Sequence, residues 1–173
     1  MGAGARPNPH KCSALTDQMV RILFISLFAI LVIHSAWFAR VQDLTLKDTT
    51  ESKFKVGQQW SYQTRPGEEK SFFIVVKVEN NAKLGNIVHI AVRNLKMHNP
   101  RSPDGFSEDV DHMPFSEEAL NRSAVKILKE KVDLPHFKDG YQEWRDAFDA
   151  GRAGVYTITL AEAVKIMEAT LNQ

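Results

Sequence analysis

The densest group of chemically competent side chains in this sequence is Glu108-Asp109-Val110-Asp111-His112. Carboxylate oxygens and an imidazole nitrogen are donors that hard and borderline divalent cations accept. Asp109, Asp111 and His112 are therefore the candidate metal ligands. Their spacing matches no metal motif: an EF-hand loop needs a glycine and a distal glutamate in register, and neither is present. A thiolate zinc site needs several cysteines, whereas Cys12, the single cysteine, lies far upstream. Solvated loop acids are the simpler reading, and no metal, cofactor or catalytic residue is assigned. The alternative is a small metal-dependent or hydrolytic enzyme using the acidic loop 104–112.

No other enzyme motif stands behind that alternative. The sequence contains no H-E-x-x-H, no G-x-S-x-G and no P-loop. Gly151-Arg152-Ala153-Gly154 falls between a helix and a strand-like run, where a helix stop explains it better than a nucleotide loop. His89, His98 and His136 are scattered.

Charge is more organised than motif. Between Asn80 and Pro103 there is no acid, while Lys83, Arg93, Lys96 and Arg101 are present; between Ser102 and Asn121 there is no base. One reading folds the acidic stretch back onto the basic strand end. The other makes a polar surface that orients a partner, with Lys77, His89, Arg93 and Lys96 as its candidate residues. The net charge of +1 lacks the concentrated basic surface that nucleic acid demands.

These side chains need a scaffold, and the sequence supplies strands first and helices after. Trp60, Tyr62 and Thr64 alternate with polar residues at the period of a half-buried strand. Arg65-Pro66-Gly67-Glu68-Glu69 turns the chain. In Lys70 to Glu79, Phe72, Ile74, Val76 and Val78 are expected to fill the inner face, leaving Phe73, Val75 and Lys77 outside. Asn86 to Leu95 follows, with Val88, Ile90 and Val92 inward and His89, Ala91 and Arg93 outward. Short links make these an antiparallel meander.

Asn99 to Pro114 reads as a long irregular segment. Ser116 is a good N-cap, and Leu120, Ala124, Ile127 and Leu128 share one face of a predicted helix. A second helix spans about Lys138 to Ala150, with Tyr141, Trp144 and Phe148 on one stripe and Gly151 as its stop. Val155 to Thr159 is a fourth strand or an extended linker. Thr159 and Glu162 form a capping box for a last helix burying Leu160, Met167 and Leu171. The predicted class is α+β: a three- to four-stranded, mainly antiparallel sheet with about three helices on one face.

Upstream, Ile22 to Ala39 is apolar apart from Ser26, His34 and Ser35, and Arg21 and Arg40 bracket it. At about 1.5 Å per residue it reaches about 27 Å as a helix, close to the roughly 30 Å bilayer core. The expected organisation is a polar leader on the cytoplasmic side (1–21), a transmembrane helix (22–39), a polar stalk (40–53) and an extracytoplasmic domain (54–173). The lipid bilayer is then the partner of residues 22–39. No small-x-small cleavage site follows the run, but a start at Met19 would give a compact signal-like beginning and a secreted domain. The functional expectation is a single-pass membrane protein whose domain binds another protein or an envelope component.

Overall fold

The computed structural model describes residues 45–173. The leader and the apolar segment 22–39 lie outside the described residues. Leu44–Gln173 forms one compact unit. Among the described residues no helix is long and apolar enough to cross a membrane.

The strands are β1 (Leu46–Asp48), β2 (Gln59–Tyr62), β3 (Phe72–Asn81), β4 (Gly85–Arg93), β5 (Met97–His98), β6 (Phe106–Ser107), β7 (Val110–Ser116) and β8 (Ala124–Lys129). The helices are α1 (Glu117–Ser123), α2 (Lys138–Asp149) and α3 (Leu160–Leu171). The main sheet runs β7-β4-β3-β2-β8, with β1 also paired to β3, and β5-β6 forms a separate ribbon. Every pairing between named strands is antiparallel. The α+β class, the antiparallel sheet and the number of helices agree with the sequence.

Several details differ for identifiable reasons. The expected stalk contributes β1, whose Leu46 to Asp48 pair with Asn81 to Glu79. The expected irregular segment contains β7, an outer strand in which Pro114 stands opposite His89; proline's missing N–H is tolerated at a sheet edge. The helix that opens at Ser116 stops at Ser123, because Val125 and Ile127 are β-branched and β2 offers a partner, with Trp60 opposite Ile127 and Tyr62 opposite Ala124. Val155 to Thr159 is an extended linker that touches β7 through a single parallel bridge, Phe115 to Tyr156.

The helices occupy both sides of the sheet, not one. The principal core joins Trp60, Tyr62, Phe73, Val75, Val78, Val88 and Ile90 to Leu120 of α1 and to Leu160, Ala163 and Val164 of α3. α2 lies on the opposite face and contributes no side chain to that core. The predicted capping box at α3 is present, with Thr159 and Glu162 bonded reciprocally, and Gly151 ends α2 at φ +68°.

The inner face of β3 is the reverse of the expected one over its first half. Phe73 and Val75 point into the core, while Ile74 and Val76 join Ala91 in a smaller cluster on the α2 face. The cause is a β-bulge. Val75 pairs with Ile90 and Lys77 with His89, so Val76 is the extra residue, and the alternation slips by one. Without the slip, a strand with Val75 inside would drive Lys77 and Glu79 into the apolar core. A second irregularity lies across β4, where Ile90 pairs with Met113 and Val92 with Val110. Ala91 thus stands opposite both Asp111 and His112.

Candidate functional site

The two bulges flank His89, and between them they assemble a buried polar cluster under α2. His89 is completely buried and Glu79 is 3% exposed. His89 Nε2 lies 3.1 Å from Glu79 Oε2, but the N–H points off the line to the oxygen, so the contact is bent. On the other side of the ring, Nδ1 is 2.9 Å from His112 Nε2. The rings are nearly parallel, 19° apart. Glu79, His89 and His112 form a continuous chain crossing β3, β4 and β7.

α2 closes over this chain. Tyr141 donates its hydroxyl to Glu79, 3.0 and 3.1 Å from the two carboxylate oxygens. Trp144 packs edge-on to His89 with ring centroids 4.8 Å apart, and its Nε1–H donates to Gly154 O at 2.8 Å. Arg145 lies 3.6 Å from Glu79 and 2.9 Å from Asp149. Lys77 is 3.5 Å from Glu79 and also pairs with Asp48 of β1. Gly140 fits closely: a Cβ there would sit 3.0 Å from His112 Cβ, and the His112 side chain would have to give by a few tenths of an ångström.

Electrostatics define the protonation of the chain. Burial alone would raise the Glu79 carboxyl, but the contacts from His89, Tyr141 and Lys77 outweigh it and hold the group below the usual carboxylate range. Burial lowers His89, more strongly than Glu79 raises it. Burial and the neighbouring ring push His112 down to about 3. Both imidazoles are neutral at pH 7, and a neutral ring carries one N–H. Facing an ionised Glu79, His89 places that N–H on Nε2. Its Nδ1 then accepts from His112 Nε2–H, and His112 Nδ1 is left as the acceptor end. Burial and the adjacent Glu79 also raise Tyr141, which keeps its hydroxyl a donor.

A groove of about 370 Å³ lies beside the cluster, lined by Pro114, Trp144, Ala153, Gly154, Val155 and Tyr156. Trp144 is common to both. The linker that forms one wall is fixed to β7 by hydrogen bonds from Ser116 N to Tyr156 O and from Tyr156 N to Pro114 O.

The candidate residues from the sequence are separated by the fold. Asp111 and Asp109 lie 2.8 and 3.9 Å from Arg93, so the acidic stretch does fold back onto the basic strand end. His112 turns instead to His89. Among the described residues no three His, Cys, Asp or Glu side chains are grouped as a metal site. The proposed partner surface is divided: His89 is wholly buried, Lys77 belongs to the cluster under α2, Arg93 is occupied by the two aspartates, and Lys96 lines a different groove with Gly67 to Lys70. His89 therefore presents nothing to a partner.

Sequence reasoning missed Glu79, Tyr141, Trp144 and Arg145 as parts of a site. A usable signal was present in the β3–β4 hairpin. Lys77 and Glu79 interrupt one apolar strand and His89 interrupts the next, at positions that the short loop brings opposite each other.

The chain matches no family model, no characterised protein and no solved structure.

Proposed function

We propose that this chain is a single-pass membrane protein whose folded unit lies outside the cytoplasm and acts as a binding domain for a protein or envelope component. The observation that carries the reading is the apolar run Ile22 to Ala39 directly ahead of a unit with its own complete core. A run of that length buries enough apolar surface for stable insertion. The groove walled by Trp144 and Tyr156 is the proposed contact site, because concave apolar surface with aromatic walls is the usual character of ligand sites. The intact protein is expected to stay in the membrane pellet after an alkaline carbonate wash, and its C-terminal unit to be cleaved by protease added from outside. A mature soluble form beginning near Arg40 would replace the anchor with a secreted domain.

The Glu79–His89–His112 chain favours a second reading, a small hydrolytic enzyme. A carboxylate behind a histidine orients the ring and sets its tautomer; here the acceptor would be His112 Nδ1, which is unprotonated at neutral pH but a weak base. Turnover of any ester or amide substrate that His112→Ala abolishes without unfolding the protein would establish this reading over the first.

A further inference from the structure

We propose that the His89–His112 pair is a proton-operated latch that holds α2 on the sheet at neutral pH and releases it, with the adjoining groove, when the pair is protonated. The geometry sets the condition. The two facing nitrogens are 2.9 Å apart, and that spacing accommodates one proton between them. A pair in which both rings are cationic would point two N–H groups at each other and cannot keep this contact. A single added proton is also poorly placed. The groups around the pair are Glu79 and Lys77 from β3, Asp48 from β1 beyond Lys77, and Tyr141 and Arg145 from α2. Glu79 is already shared between Lys77 and Arg145, so a charged imidazole becomes a third cation on one carboxylate.

The helix that feels this charge is the one least attached to the rest of the unit. The principal core contains no residue of α2. Phe148 is the sole side chain of α2 that is fully buried. Its N-cap, Phe137, makes no side-chain capping bond, whereas α3 carries a full capping box. What α2 does have is contact with the polar cluster: Tyr141 on Glu79, Trp144 on His89, Gly140 on His112. Segments with few buried apolar contacts open locally while the remaining structure stays folded. Losing the imidazole contacts removes much of what seats α2. Trp144 takes its bond to Gly154 O with it, so the groove beside Pro114 and Tyr156 opens at the same time. Both rings titrate below the ordinary histidine range, which places opening on the acid side of neutrality. The latch works whether or not residues 22–39 span a membrane.

The sign and size follow from linkage. A released α2 lets each histidine titrate near its free value of about 6.5. Below that pH the open form binds more protons than the closed form, so acid favours opening. At about pH 5 the population of the open form should rise about 30-fold for the proton that His112 takes up, and further for the one on His89.

The test is hydrogen exchange on the full chain in detergent at about pH 7.5 and about pH 5, each corrected for intrinsic exchange. Protection across residues 138–149 should fall at least tenfold in acid, relative to β3 and β4. Equal loss across all three segments, or none in α2, would overturn the latch. His112→Gln keeps an N–H for His89 Nδ1 but does not titrate, and should remove most of the acid response; an undiminished response would also overturn it. In the unsubstituted chain, ring ¹³C resonances of His89 and His112 should begin to titrate over the same interval as α2 exchange accelerates. Ring titration with α2 still protected would refute the coupling even if the variant fails to fold.

Discussion

The sharpest test of the polar cluster is a double-mutant cycle on Glu79 and Tyr141. Breaking a buried ion pair by removing one partner typically costs about 3–5 kcal/mol, because an uncompensated charge is left behind. Here the two cations keep other partners, Lys77 with Asp48 and Arg145 with Asp149. The loss in Glu79→Ala is then mainly the hydrogen bonds to an ionised acceptor, roughly 1.5–3 kcal/mol, plus a small void. We expect about 3 kcal/mol for Glu79→Ala and about 1.5 kcal/mol for Tyr141→Phe. Because both substitutions delete the same contact, the double variant should recover about 1.5 kcal/mol of their sum, within the usual range for residues in contact. Glu79→Gln should recover part of the loss, since the amide oxygen still accepts from Tyr141. Urea unfolding of the unit Leu44–Gln173 at pH 7 gives all four stabilities. A coupling below about 0.3 kcal/mol, the level of independent sites, would show that α2 is not held by this bond.

Three further outcomes follow from the same geometry. Gly140→Ala should destabilise by about 1 kcal/mol in urea unfolding: the gain of about 1 kcal/mol in helix propensity is outweighed by pressing a methyl group onto His112, and a net gain would contradict the close packing. Trp144→Ala should cost about 2–3 kcal/mol, less than the 3–5 kcal/mol of a fully buried aromatic, because the ring is half-buried; a change below about 1 kcal/mol would mean that it seats nothing. Asp109→Asn with Asp111→Asn should change stability by less than about 1 kcal/mol, as expected for exposed pairs, and divalent cations should not raise the Tm. A saturable, ion-selective rise that the double variant loses would establish a metal site there.

Much of the scaffold was legible because its signals are local. Trp60 and Tyr62 declare the inner face of β2, the Thr159–Glu162 box starts α3, and Gly151 ends α2, each within a few residues. The functional cluster was not legible in the same way. Glu79 meets Tyr141 across 62 positions of chain, and each residue taken alone resembles ordinary surface. The phase of β3 was misread for a physical reason. Phe72-Phe73-Ile74-Val75-Val76 is apolar on both faces because α1 and α3 pack on one and Val132 and Phe137, ahead of α2, pack on the other, so alternation is invisible until Lys77, by which point the bulge has already shifted it. Ala124 and Ile127 fit a helical stripe by coincidence; the open edge of β2, which no local pattern reveals, claimed them for a strand.

The bulge at Val76 also determines how β3 tolerates change. Two incompatible side-chain schedules share one strand, the first sending odd positions inward and the second sending even ones. A saturation scan from Phe72 to Asn81 should therefore show a two-residue rhythm of intolerance that skips a beat at Val76: Phe73 and Val75 reject polar replacements before it, Val78 after it. Deleting Val76 by itself restores a single rhythm. Lys77 would then follow Val75 directly and stay outward, with Val78 inward and Glu79 outward, so this deletion should cost only the packing of Val76 against Ile74 and Ala91 and be tolerated better than deletion of Val78, which would turn Glu79 inward. The phase of each half, more than the length of the whole, is what this strand has to preserve.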